Sequence, residues 1–219
     1  MQVIGILNSK GGVGKTTLTA CLAVRACLDK ARVAVLDLDP SSNYSDWYGR
    51  RAASGLLGTP ENPDLLTGAD HASDAIEALH LTSPYTHVFL DGTPGSLLVT
   101  EDAIGVSTVV LIPVRASGLD LASSRDVIQA CQDMQKPYLV VVNGKGRYDG
   151  KLVEEARRVL SSWKVPVADT VITHRVAFVN AMTSGRTGPE KDKDAAVEMD
   201  ALWGEVKAAL RKAAKARAA

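Results

Sequence analysis

Near the start of the chain, Lys10-Gly11-Gly12-Val13-Gly14-Lys15-Thr16-Thr17 gathers three glycines, two lysines and two hydroxyls into eight residues. That mixture suits a phosphate ester. Glycines let a loop turn its backbone N–H groups onto one phosphate, and a helix that starts at the loop's end adds the positive pole of its dipole. The Gly-Lys-Thr ending is that of a Walker A loop. Lys15 would neutralise the β- and γ-phosphates, the Thr16 hydroxyl would ligate Mg2+, and Thr17 would bond the α-phosphate. One lysine suffices for phosphates held within a chain. Lys10, just ahead of Gly11, is a second, and it either reaches charge elsewhere, such as nucleotide in a facing subunit, or is a solvated surface lysine.

Three carboxylates follow. Asp37 and Asp39 lie two apart in Leu36-Asp37-Leu38-Asp39-Pro40, so strand alternation puts both on one face, at the carboxyl end where open α/β sheets bind ligands. Two anions beside a phosphate site call for a cation between them, which implies Mg2+. Asp39, nearer the tip, is placed to orient an attacking water, or else to cap a following helix. Asp91 ends the run His87-Val88-Phe89-Leu90 and precedes Gly92-Thr93-Pro94-Gly95, the Walker B arrangement that holds Mg2+ directly or through water. For the base, Asn143 after Val140-Val141-Val142 offers an amide that donates and accepts. The Gly144-Lys145-Gly146 that follows is not the N-K-x-D run that reads guanine, so adenine is expected; Asn143 as a plain turn residue stays open.

These residues need a sheet behind them. Runs rich in Val, Ile and Leu at 3–7, 33–38, 88–90, 109–114 and 139–142 predict strands buried on both faces, with a further short strand at 165–168 or 171–172. Apolar positions three or four apart predict helices over 16–28, 72–79, 119–134 and 151–163. The alternation specifies an α/β fold, a mostly parallel twisted sheet with helices on both faces. Residues 49–70 read as a surface excursion and 185–194 as a charged turn before a last helix whose stripe is Met199, Leu202, Trp203, Val206 and Leu210. Beyond Leu210 only alanine and basic residues remain, so 211–219 reads as a basic, flexible tail on a single domain spanning 1–219.

With 219 residues, 46% of them apolar, the chain can bury one good core. Lys plus Arg and Asp plus Glu are 25 each, so no overall field drives it onto nucleic acid or membrane, and such affinity must come from a local patch. Cys21, Cys27 and Cys131 form no metal-binding spacing and read as buried reduced thiols. Neither a signal peptide nor a membrane span is legible, and a cytoplasmic protein is expected.

The loop, the Asp37-Leu38-Asp39-Pro40 run and the Asp91 strand together resemble the ParA/MinD superfamily of deviant Walker ATPases, P-loop NTPases of the SIMIBI type. Within it the chain is similar to the small ParF-like partition ATPases, through Leu7-Asn8-Ser9, Ser41-Ser42-Asn43-Tyr44-Ser45-Asp46-Trp47, Asp91-Gly92, Leu111-Ile112-Pro113-Val114 with Leu119-Asp120, and Val171-Ile172-Thr173-His174-Arg175 to Ala181. The resemblance implies an ATP-dependent sandwich homodimer in which Lys10 reaches the partner's nucleotide. It makes Lys10, Lys15 and Asp39 catalytic, with Asp39 positioning the water, and puts Thr16, Asp37 and Asp91 around Mg2+. It further implies slow ATP hydrolysis stimulated by a ParB-like centromere-binding or cargo adaptor protein, and nucleoid association through non-specific DNA binding. Phosphate contacts would come from Arg147, Arg175, Arg211, Lys212, Lys215 and Arg217. No N-terminal DNA-binding extension is expected. Ser41 stands where the family often has Gln.

Partition of DNA is the leading function, and the same engine moving a carboxysome or chemoreceptor cluster is the alternative. A MinD-like membrane role calls for bulky apolar residues at the C-terminus, which the sequence after Leu210 lacks, so no membrane partner is expected. Of the metabolic relatives, a reductase needs loop cysteines, whereas these fall in predicted helices, and no second constellation suits a synthetase substrate.

Overall fold

Strands buried on both faces pair without needing polar alternation, and the β-branched runs of this chain do so in one direction throughout. In a computed structural model, which describes residues 1–57, 59, 61–69, 71–82, 84–146 and 149–218, seven strands form one parallel sheet. They are β1 (Gln2–Ile6), β2 (Val33–Asp37), β3 (Asp64–Leu66), β4 (His87–Asp91), β5 (Val109–Val114), β6 (Tyr138–Lys145) and β7 (Ile172–Thr173), in the order β3-β2-β4-β1-β5-β6-β7. The helices are α1 (Lys15–Leu28), α2 (Asn43–Ala53), α3 (Ala72–Thr82), α4 (Leu97–Val106), α5 (Gly118–Ser123), α6 (Arg125–Asp133), α7 (Gly150–Ser162), α8 (Val176–Thr183) and α9 (Lys193–Ala218).

Alternation along each strand splits the core in two. Ile4, Ile6, Val33, Val35 and Phe89 pack under α1, α2, α8 and α9, whereas Val3, Ala34, Leu36, Val88 and Leu90 pack under α3 to α7. Strand order reverses at β1, whose neighbours are β4 and β5, so the crevice beyond its carboxyl end is the topological switch point where such sheets take ligands. Register then aligns the chemistry: Asp91 is opposite both Ile6 and Asp37, which sets two carboxylates side by side on adjacent strands at that edge.

Three expectations are corrected. Residues 49–70, expected as a surface excursion, hold regular structure in two places: α2 runs through Ala53, and β3 adds an edge strand to β2 with Asp64 opposite Ala34. The helix over 119–134 is two helices, because the buried Ser124 turns its hydroxyl onto the Leu121 carbonyl at 2.7 Å and interrupts the ladder. Residues 211–218 do not leave the fold as a tail. Alanine is the strongest helix former, and the buried Ala213 extends the apolar stripe by one step, so α9 continues to Ala218. The three cysteines are free and buried, as expected.

Candidate nucleotide site

The phosphate loop is pinned from both neighbouring strands. Asn8, fully buried, donates from Nδ2 to the Pro113 carbonyl at 2.8 Å, and its Oδ1 accepts from the Lys10 N–H at 3.0 Å, which fixes the loop entrance against the end of β5. Ser9 donates to the Ser123 carbonyl at 2.9 Å, and Gly95 N–H donates to the Ser9 carbonyl at 3.0 Å. Gly12 and Gly14 adopt φ of +73° and +91°, where a side chain is strained. A Cβ at Gly14 would also stand 2.3 Å from Asn143 Nδ2. After Gly14 the chain enters α1, whose N-terminus points into the cleft with its N–H groups free for an anion.

Lys15 lies at the centre, 6% exposed, with Nζ donating to the Lys10 carbonyl at 3.1 Å. Burial lowers its pKa, opposed by the charges of Asp91 and Asp39. Lys10 is exposed and is not among the residues lining the cleft.

The carboxylates divide their work. Asp91 is fully buried; Oδ1 accepts from Thr19 at 2.9 Å, the Thr16 hydroxyl is near enough to favour the charged carboxylate, and Oδ2 has no partner. Burial pushes its carboxyl up to about 7 against those hydrogen bonds, with Asp37 adding to the rise and Lys15 opposing it. An orphaned carboxylate oxygen beside the Thr16 hydroxyl suits Mg2+, which takes one or two protein ligands and keeps the rest for phosphate and water. Among the described residues no three His, Cys, Asp or Glu side chains converge as an all-protein metal cage. Asp37 has both oxygens engaged: Oδ2 accepts from Ser45 N–H at 2.9 Å and Ser45 Oγ at 2.8 Å, and Oδ1 from Asp39 N–H at 3.2 Å. It therefore anchors the first turn of α2, the capping role that sequence offered to Asp39. Asp39 lines the cleft, its Oδ1 accepting from Ser41 N–H at 2.9 Å and Ser41 Oγ at 2.7 Å.

The cleft over this loop measures about 620 Å³ and extends from Gly11 and Asp39 past Asn143 to Phe178, Val179 and Met182 on α8. That is room for a nucleotide with its base on the apolar side. A family profile described as the CobQ/CobB/MinD/ParA nucleotide binding domain matches residues 4–187. The chain belongs to this family. Its relatives include the chromosome partitioning protein ParA of Caulobacter vibrioides, 25% identical over 85% of each chain. Soj, a chromosome-partitioning ATPase of Thermus thermophilus, is 27% identical over 84% of this chain and 86% of its own. The cell division protein MinD of Aquifex aeolicus has the same fold, with a TM-score of 0.76 at 18% identity, over 95% of this chain and 98% of that one.

Within this member of the family, the residues expected in the cleft from Gly11 through Thr17, with Asp39 and Asn143, all line it. Asn143 differs in its contact: Nδ2 donates to the Val13 carbonyl at 2.6 Å, so its amide braces the loop instead of standing free for a base. Arg175, expected as a DNA contact, is engaged within the chain: Nη1 and Nη2 donate to Glu198 at 2.6 and 2.9 Å. Arg147 lies outside the described residues, as does the Arg217 side chain. Arg211, Lys212 and Lys215 are exposed on the last turns of α9. Trp203 donates to Asp29 at the end of α1 and meets His87 at the start of β4, so that helix end lies at the opposite pole from the cleft. Sequence reasoning gave no role to Arg115, which follows β5 and lines the cleft, nor to Ser45. A cation just past the carboxyl end of a buried strand was the available signal for Arg115.

Among the described residues no helix is long and apolar enough to cross a membrane.

Proposed function

We propose that this chain is an ATP-dependent partition ATPase whose nucleotide joins two copies into a dimer that binds DNA without sequence preference. The observation that carries the reading is the division between its two lysines: Lys15 lies inside the cleft, and Lys10, held at its backbone by Asn8, presents an ammonium outside it. An exposed cation at the loop entrance that does not line its own cleft fits phosphate in a facing copy.

Lys15 exchanges the Lys10 carbonyl for β- and γ-phosphate oxygens, and Thr16 and Asp91, with its orphaned oxygen, are the residues that would hold Mg2+. Bound there, it would supply neutralising charge to the phosphates. Asp39 accepts a hydrogen bond from a water and directs its oxygen at the γ-phosphorus, in exchange for its present hold on Ser41. Because the site is completed only by positioning, turnover is slow until a ParB-like partner fixes that arrangement. Exposed Arg211, Lys212 and Lys215 supply phosphate contacts that need no base reading.

The test is DNA binding by the purified chain with ATP, with ADP and after Lys15→Ala, over a range of salt. Binding with ATP alone, weakening steeply with salt, is expected. Binding that ignores nucleotide would rule the switch out.

A further inference from the structure

Four cationic side chains line the cleft, and three are engaged. Lys15 donates to the Lys10 carbonyl, Arg50 lies 3.8 Å from Asp46, and Arg175 is paired with Glu198 and Asp192. Arg115 is exposed and makes no ion pair or hydrogen bond within the described residues. Its position is set by the same contact that sets the loop: Asn8 ties the loop entrance to the Pro113 carbonyl, two residues before Arg115. Arg115 therefore enters the cleft lining from the β5 side of β1, in the cleft that Gly11 and Gly12 also line, whereas Asp37, Asp39 and Asp91 stand on the β2 and β4 side. The carboxylate side answers a metal. Among the described residues, the Lys and Arg side chains that line the cleft from the β5 side are Arg115 and Arg175, of which Arg175 is paired with Glu198, and no carboxylate there lines the cleft. A guanidinium matches a phosphate with two parallel N–H donors, where an ammonium offers a point charge.

We propose that Arg115 grips the terminal phosphate of the chain's own nucleotide, making the site select a nucleoside triphosphate over a diphosphate. Lys10 and Arg115 then have separate duties, one across the interface and one within the subunit. The proposal rests on the nucleotide reading above and is independent of DNA binding.

The test is calorimetric titration with ADP and with a non-hydrolysable ATP analogue, in a Lys10→Ala background so that dimerisation adds nothing. Arg115→Ala should weaken the analogue about tenfold or more and leave ADP within about twofold, and Arg115→Lys should recover part of the loss. An equal loss for both nucleotides, or no loss, would overturn it. So would unchanged analogue binding with dimerisation alone impaired when Lys10 is present, which would place Arg115 across the interface. Failure of the unaltered chain to bind either nucleotide would overturn the nucleotide reading and this proposal together. Failure to dimerise or bind DNA, with the analogue-to-ADP split intact, would overturn the partition reading alone.

Discussion

Lys15 Nζ donates to the backbone carbonyl of Lys10 at 3.1 Å, so the two lysines of the loop are joined by a contact that an arriving phosphate must replace. The ammonium is buried at the centre of the site, where desolvation lowers its pKa and an anion would oppose that.

Lys15→Ala should therefore abolish nucleotide binding, a loss of about a hundredfold or more, without lowering the thermal midpoint of the free protein. Calorimetric titration and a melting curve check the two halves. A lowered midpoint would mean that the lysine supports the fold.

Asp37 and Asp91 sit side by side yet differ in what they hold. Asp37→Ala should destabilise the protein by about 1 kcal/mol through the first turn of α2, read in denaturant unfolding, and weaken Mg2+-dependent nucleotide binding only a few-fold. Asp91→Ala should remove the Mg2+ dependence itself. Reversal of that order would return Asp37 to the metal.

Much of this arrangement is legible in the order of residues alone. Strands such as Val109–Val114 are buried along their whole length, and apolar runs of that kind register in sequence directly. The Asp91 site is legible because a carboxylate that ends such a run is costly to bury unless a cation or hydrogen-bond donors meet it. α2 is hidden because its buried positions are Tyr44, Trp47 and Arg51, and an arginine breaks the apolar pattern. Its burial is accounted for largely by groups outside α2: Glu190, whose two oxygens accept from Arg51 at 3.1 Å each, the Gly185 carbonyl at 2.9 Å and Asn62 Oδ1 at 2.6 Å. The pairing of Arg175 is hidden for the same reason. A positive residue shows its charge in sequence, but its partner, Glu198, lies 23 positions away and reaches it only once α9 packs beside β7.

Asn143 braces the loop through Val13, so Asn143→Ala should weaken ATP and GTP in parallel, several-fold each. Competition binding with both nucleotides decides it. Loss of ATP binding alone would restore Asn143 to reading the base.

Glu198 gives a pH signature. Burial raises its pKa, but Arg175 and the Thr173 N–H and hydroxyl outweigh that, and the net shift is downward. A carboxyl lowered on folding contributes stability that is present above its ordinary value near 4.5 and is lost as pH falls through the lowered one. Glu198→Gln should cost about 1 kcal/mol at pH 7, and the gap from the unaltered protein should close below about pH 4. Arg175→Ala should cost a similar amount and leave the salt dependence of DNA binding unchanged.

The central claim is that nucleotide joins two copies through Lys10. It is tested most directly by the mass in solution, from sedimentation or light scattering, of Asp39→Ala and of Asp39→Ala with Lys10→Ala, each saturated with Mg·ATP. A dimer is expected for the first and a nucleotide-bound monomer for the second; a dimer from both, or from neither, would contradict the claim.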